Sequence, residues 1–410
     1  MKKLLLVLLI LSLFINHLNA NEKDLQIIQK DKKEYRLLDK ESIQTRQQSQ
    51  KYDWISPIDL SGNIGINHSF SDENSRNLNN KNTKSASIGF TQSIFESGGI
   101  GFKMDYADNR FKYEMLSWEN QNSQLIYTIY NTLLDIKKLN LEIKQNDYRI
   151  VNKDIELIIK KIQYEAGKTD IIELNNAIMS KNLILKEEIA LKNSLKEKEQ
   201  ELAKYTDLKY DEIEILDFQE TNKDIFLDKN YSILEADAKV EMLNSEYKIK
   251  KSQYLPKLSL RANASYSNQD EKFNSMINDT NKDDATSSGS LILTMPLYDY
   301  TKSSKIQESK IEVLKQKALV NDLKNETAFE YEQIFTKIDT YLKQNETINK
   351  NIKLYEELIG ANQISSEAGM TSKYDLEILE NTKTINEFDI LINKINILQQ
   401  YAKLYFKIKN

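Results

Sequence analysis

Side chains able to carry covalent or metal chemistry are nearly missing from this sequence. Its 410 residues hold 2 His and 0 Cys. Without cysteine, disulfides, iron–sulfur clusters and thiolate zinc sites are ruled out. One histidine, His17, lies in an apolar leader expected to be removed, which leaves His68. His-based triads and multi-histidine metal sites are therefore excluded, and no glycine-rich phosphate loop occurs. Two carboxylates stand out instead. Glu173 and Asp375 each lie six residues past a glycine, Gly167 and Gly369, and each is followed by leucine. An acid in the first turn of a helix is favoured by the helix dipole, by about 0.3–1 kcal/mol. No enzyme activity and no cofactor are expected.

The elements that hold these acids follow from composition. Gly 10 and Pro 3 are together about a quarter of average usage, too few for the turns of an ordinary α/β enzyme. Charged residues at 29% and apolar ones at 40%, with both signs interspersed, suit long solvated helices better than a disordered chain. The net charge of −5 points away from a nucleic-acid partner.

At the N-terminus Lys2 and Lys3 precede an apolar run from Leu4 to Phe14, and Leu18-Asn19-Ala20 offers a small residue for cleavage. This is the order of a secretory signal over residues 1–20, cleaved near Ala20. The run is too short for a transmembrane helix, and no later apolar run reaches the required length. Entry of the mature chain into a membrane would then require a β-barrel.

The breakers cluster at about 57–101 and 256–296. Outside those clusters, apolar residues recur at three- and four-residue steps, as in Ile126, Ile129, Leu133, Ile136 and Leu139. The spacing predicts helices near 102–165, 170–205, 223–252, 302–366 and 371–408, with another near 22–52. A fibrous coiled coil would satisfy this pattern but not the segments between.

Those segments alternate with period two. Ile58, Leu60, Ile64 and Ile66 are apolar among small or polar neighbours, as are Leu258, Leu260, Ala262, Ala264 and Tyr266. Partner strands run Ala86, Ile88, Phe90 to Ile94, and Leu291, Leu293, Met295 to Leu297. Each has an apolar and a polar face, and each is long enough to span a membrane at a tilt. The polar stretches 71–84 and 267–288 suit external loops. Two soluble hairpins packed on helices would give the same pattern. Four strands cannot close a barrel, for which about eight are needed, and bare edges in lipid are costly. Membrane strands would therefore have to be shared among copies.

The sequence is also internally duplicated. Ile162–Gly167 aligns with Ile364–Gly369, Phe95-Glu96 with Tyr298-Asp299 and Pro57 with Pro256, all about 200 residues apart, far longer than a solenoid repeat. This divides the mature chain into a first repeat over 21–206, a linker over 207–222 and a second repeat over 223–410.

In Tyr254-Leu255-Pro256, Met295-Pro296-Leu297-Tyr298-Asp299, Phe95-Glu96-Ser97-Gly98-Gly99 and the two Glu-Ala-Gly turns, the sequence resembles the TolC-type outer membrane efflux protein family. The likeness runs over 22–410. It implies a mainly α fold with a small β part: a homotrimer whose long antiparallel coiled helices form an α-barrel in the periplasm. Four strands per chain would join a 12-stranded barrel in outer-membrane lipid, with Ile58, Leu60, Ile64, Ile88, Phe90, Leu258, Leu260, Leu291 and Leu293 as strand residues facing the membrane. It further implies export from a periplasmic adaptor and an inner-membrane pump of the RND or ABC class, in multidrug efflux or type I secretion.

The resemblance also assigns roles. The turns Ala166-Gly167-Lys168 and Ala368-Gly369-Met370 would be periplasmic tips that dock the adaptor, or simply helix C-caps. Glu173 and Asp375 would be tunnel-entrance carboxylates, with Asp375 matching the first of two acids that ring the closed entrance. The second falls on Ile378. The family's Tyr and Arg latch positions are Ser366 and Thr371 here, so that latch is absent. Tyr52, Trp54, Tyr298 and Tyr300 would form an interfacial girdle, or pack on the first helix. A secreted or periplasmic coiled-coil adaptor or scaffold without a barrel is the competing reading. It would carry glycine-rich β domains that this sequence lacks.

Overall fold

Proline and glycine sit where the two longest helices begin or turn back: the helix Gly99–Glu165 starts at a glycine and ends just before Gly167. The computed structural model describes residues 25–69, 79–216, 218, 220–270, 282–367 and 372–409. The predicted leader, the second Gly turn at Ala368, Gly369 and Met370, and Thr371 all lie outside them. The helices are α1 (Lys30–Tyr52), α2 (Gly99–Glu165), α3 (Ile171–Leu202), α4 (Lys223–Asp228), α5 (Tyr231–Ser252), α6 (Lys302–Glu367) and α7 (Lys373–Phe406). α2 and α6 hold 67 and 66 residues, which at about 1.5 Å per residue makes each roughly 100 Å long. Among the described residues no helix is long and apolar enough to cross a membrane.

Three helix expectations are corrected. The helix expected over 223–252 is broken at Lys229 and Asn230, because the chain beyond α7 pairs there. Asn230 bridges Ile408, Tyr231 N–H donates to Lys407 C=O at 2.9 Å, and Lys409 N–H donates to Lys229 C=O at 2.8 Å. α7 stops at Phe406 for the same reason. The first helix starts at Lys30 rather than near 22. Before it, Leu25–Ile27 forms a 3-10 turn, Gln29 N–H bonds Tyr205 C=O, and Lys30 N–H is capped by Asp207 Oδ2 at 3.0 Å.

The strands are β1 (Asp59–Ser69), β2 (Asn79–Phe95), β3 (Lys257–Asp270) and β4 (Lys282–Thr294). They form one antiparallel sheet in the order β1-β2-β3-β4. The stretches expected as loops are therefore shorter than 71–84 and 267–288, since residues 79–84, 267–270 and 282–288 are strand. Ladder hydrogen bonds are made by the backbone, so polar side chains do not end them. β4 stops at Thr294, opposite Lys257, and not at Leu297. Pro296 has no N–H to give, and β3 has no further partner residue.

The described chain gathers into two compact units, each drawing on both halves of the sequence. One takes in the described residues of Met1–Lys40, Leu116–Glu235 and Asn321–Asn410; the other is Glu41–Met115 and Ala236–Val320. In the first, Phe226, Ile334, Ile338, Leu404 and Ile408 form a buried cluster edged by Tyr331, Phe335, Ile397 and Tyr401. Beside Phe406, Tyr130 stacks at 5.5 Å and Phe218 packs at 5.6 Å. Buried Arg36 ties α1 to α2, donating to Asn122 Oδ1 at 2.6 Å and to Trp118 C=O at 3.0 Å. The second unit holds the sheet. Its helices are joined by Arg46–Glu114 at 3.0 Å, Lys51–Asp108 at 2.9 Å and Asn109–Ser245 at 2.9 Å.

Candidate functional site

The sheet separates two chemistries by face. Cross-strand partners share a face, so register sorts the side chains. Leu60 stands opposite Ile88, and Ile88 opposite Ala264. Leu260 faces Leu291, and Leu258 faces Leu293. Phe90 and Ile64 have the same parity. Leu60, Ile64, Ile88, Phe90, Leu258, Leu260, Leu291 and Leu293 thus lie on one face. Ile58 falls one residue before β1, after Pro57, and continues the parity. This face is bare: Leu60 is 78% exposed, Leu293 72% and Ile64 67%. A contiguous apolar surface of that kind marks a contact with lipid or protein.

The opposite face is polar and small. One row runs Ser61, Ser87, Ser265, Thr286. The hydroxyls of Ser61 and Ser87 are 2.7 Å apart, and those of Ser265 and Thr286 2.8 Å. The next row holds Gly89 and Asn263. A Cβ on Gly89 would meet Asn263 Oδ1 at 2.7 Å and Ala262 O at 3.0 Å, so a side chain added there would displace the Asn263 amide and crowd the backbone of β3.

Lys84, opposite Ile64, is a charged residue on the apolar face, and a polar one there, Gln92, escaped the sequence reading. Gln92 pairs with Leu260. Its Oε1 accepts from Ser56 N–H, and its Nε2 donates to the carbonyls of Trp54 and Ser93, each at 2.9 Å. Its amide closes the backbone just before β1. Just past it the register shifts between Ser93 and Phe95, which breaks the alternation expected through Ile94. A polar residue on a mainly apolar parity, next to a bulge, is the signal for such a role.

The first Gly turn is a complete C-cap. Gly167 has φ +67. Lys168 N–H bonds Gln163 C=O at 2.8 Å, and Gly167 N–H bonds Tyr164 C=O at 2.9 Å, the paired bonds of a Schellman motif. Asp170 then caps α3, its carboxylate accepting from Glu173 N–H at 2.9 Å. Ala166, Gly167 and Lys168 are exposed, and Ile162, Tyr164, Ile171 and Ile172 present apolar surface around them.

The two candidate carboxylates differ. Glu173 Oε2 is held by Lys160 Nζ at 3.0 Å. Asp375 lies exposed in the first turn of α7, which Ser372 caps through Tyr374 N–H at 3.2 Å. Among the described residues Asp375 makes no ion pair. Glu377 and Glu380 are exposed nearby. Among the described residues no cluster of His, Asp or Glu is placed to hold a metal ion. Of the proposed girdle, Tyr298 and Tyr300 are 85% and 87% exposed and so do not pack on a helix, whereas Trp54 is half-buried.

Residues 224–403 match the sequence model of the outer membrane efflux protein family. No curated protein matches the chain by sequence. Its fold is similar to that of the outer membrane protein VceC from Vibrio cholerae, with a TM-score of 0.73 at 12% identity over 94% of this chain and 93% of that one. It is likewise similar to the Campylobacter jejuni CmeC outer membrane channel, with a TM-score of 0.70 at 12% identity over 93% and 86%. The open state of the Neisseria gonorrhoeae MtrE outer membrane channel gives 0.65 at 12% identity over 94% and 88%. At these identities the likeness is one of fold. Family and neighbours are outer-membrane channels and not enzymes. Over 224–403 the chain is thus similar in sequence to the outer membrane efflux protein family, and over nearly all its length it shares the fold of these outer-membrane proteins.

Proposed function

We propose that three copies of this chain close their sheets into one outer-membrane barrel and their long helices into a periplasmic tunnel. The assembly exports cargo handed on by a periplasmic adaptor and an inner-membrane RND or ABC pump, in multidrug efflux or type I secretion. The observation that carries this reading is the sheet: four strands, one face bare and apolar, and two edges left unpaired among the described residues. β1 and β4 run in opposite directions. β4 of one copy can therefore lie antiparallel to β1 of the next, and a head-to-tail ring of this kind closes without an edge. Three four-stranded sheets make a barrel of 12, above the minimum of about eight.

On this reading residues 1–20 are a signal peptide cleaved near Ala20, and 21–206 and 223–410 are two repeats joined by 207–222. The turn at Ala166, Gly167 and Lys168, ringed by exposed Ile162, Tyr164, Ile171 and Ile172, docks the adaptor together with Ala368, Gly369 and Met370. The free carboxylate of Asp375 narrows the tunnel entrance and favours cations there. Glu173, paired with Lys160, contributes less charge.

The test is fractionation followed by electrophoresis. The full chain should pellet with outer membrane and run as a heat-sensitive trimer in SDS. Recovery as a soluble periplasmic monomer would overturn the channel and favour a coiled-coil scaffold.

A further inference from the structure

We propose that Arg261 builds a cationic collar in the barrel lumen that makes the barrel segment prefer anionic cargo. The inference rests on the channel reading, in which the sheet's polar face lines the lumen.

Arg261 lies on that polar face, opposite Thr91 and Ser290. Its neighbours along β3 on the same face are Ser259 and Asn263, and those along β2 are Ser93 and Gly89. A guanidinium on a long stem rises above this floor of short side chains. Arg261 is exposed, and its Nε donates to Thr91 Oγ1 at 3.2 Å. That contact holds the side chain along the sheet and leaves its other N–H groups to the lumen. Among the described residues Arg261 makes no ion pair.

Among the other charges of this parity, Lys81 and Lys282 lie at the far end of the strands, opposite Asn67 and Gln269, and Lys257, Asp59 and Asp284 lie nearer. Lys257 lies close enough to Glu96, with Lys103, to help hold that buried carboxyl below the ordinary range, although burial alone pushes it up. Asp59 is opposite Gly89, two strands across and one pair further along, about 12 Å from Arg261 by strand geometry. Asp284, opposite Ser267, is about 20 Å further along the strand. At the level of Arg261 the described face therefore carries one unbalanced positive charge per chain, though the chain as a whole is acidic at −5. Three guanidiniums around one lumen attract carboxylates and phosphates, which match the planar fork, and repel cations.

The test uses the purified full-length oligomer in planar bilayers, with zero-current potentials read in a potassium chloride gradient. Arg261→Gln should lower the chloride-to-potassium permeability ratio by about twofold at 0.1 M salt, the size expected of three screened unit charges roughly 10 Å from the ion path. Arg261→Lys should keep the ratio, and Asp59→Asn should raise it. A conducting channel whose ratio is the same in wild type and Arg261→Gln overturns the collar and leaves the channel intact. A wild-type protein that never conducts overturns the channel reading and the collar with it. Should Arg261→Gln fail to assemble, pyrophosphate added to the wild-type channel decides: slowed chloride current supports the collar, and unaffected current overturns it.

Discussion

Lys160 Nζ lies 3.0 Å from Glu173 Oε2, across the turn at Gly167. The two residues are equally far from the centre of that turn, so the antiparallel helices bring them level. In the duplicated half the matching residues are Asn362 and Asp375. Asn362 Nδ2 donates to Leu358 C=O at 2.9 Å, and an amide cannot neutralise a carboxylate. The two halves therefore differ in charge at these matching positions.

Asp375→Asn should therefore reduce the cation preference of the whole channel, and Glu173→Gln should leave it nearly unchanged. Reversal potentials of the two variants, side by side, check this, and equal shifts would show that pairing with Lys160 does not matter. Lys160→Ala should cost only about 0.2–1 kcal/mol, because Glu173 is half-exposed in the pair.

Leu260→Arg places a charge on the bare apolar face, whereas Ser259→Arg places it on the polar one. The first should cost about 2–4 kcal/mol if the face meets mid-membrane lipid, and the second little. Assembly yield and urea midpoints of the oligomer in detergent and in lipid give the comparison. Equal behaviour of the two variants would reverse or remove the facing assignment.

Closure between copies can be trapped with disulfides, because the chain has Cys 0. Within one sheet β1 and β4 are three strand spacings apart, about 14 Å, too far for a bridge. A cysteine at Ser61 combined in turn with Thr286→Cys, Ser288→Cys or Ser290→Cys should yield covalent trimers for at least one pair. Only monomers across the series would mean that these edges never meet.

Glu330 ties the C-terminal end of α7 to α6 by accepting from Lys403 at 2.8 Å and from Lys407. Burial pushes its carboxyl up, but hydrogen bonds from the two lysines outweigh that and hold it below the ordinary value. A depressed carboxylate stabilises the fold above the unfolded value, near pH 4.3, and that contribution fades as pH falls through the folded one. The wild type should lose stability between about pH 4.3 and lower pH more steeply than Glu330→Gln. Melting temperatures over that range measure the difference.

Much of this was legible along the chain. The ends of α2, at Gly99 and just before Gly167, followed the breakers, because Gly acts locally. The two faces of the sheet followed from period two, because a strand's side chains alternate whatever surrounds it. The misses share another cause. The break at Lys229 and Asn230 depends on Ile408, nearly 180 residues away. The start of α1 depends on Tyr205 and Asp207. The polar ends of β2, β3 and β4 are strand because a partner backbone stands beside them, and composition carries no trace of a partner.

By itself the sequence determined the element types and the sidedness of four strands, since each depends on spacing within a short window. Tertiary structure alone decided which charges are free. It set Lys160 against Glu173, gave Gln92 to the backbone of Trp54 and Ser56, and stood Arg261 among serines. Such pairings depend on distances across the fold, and an electrostatic or hydrogen-bond energy exists only once those distances are set.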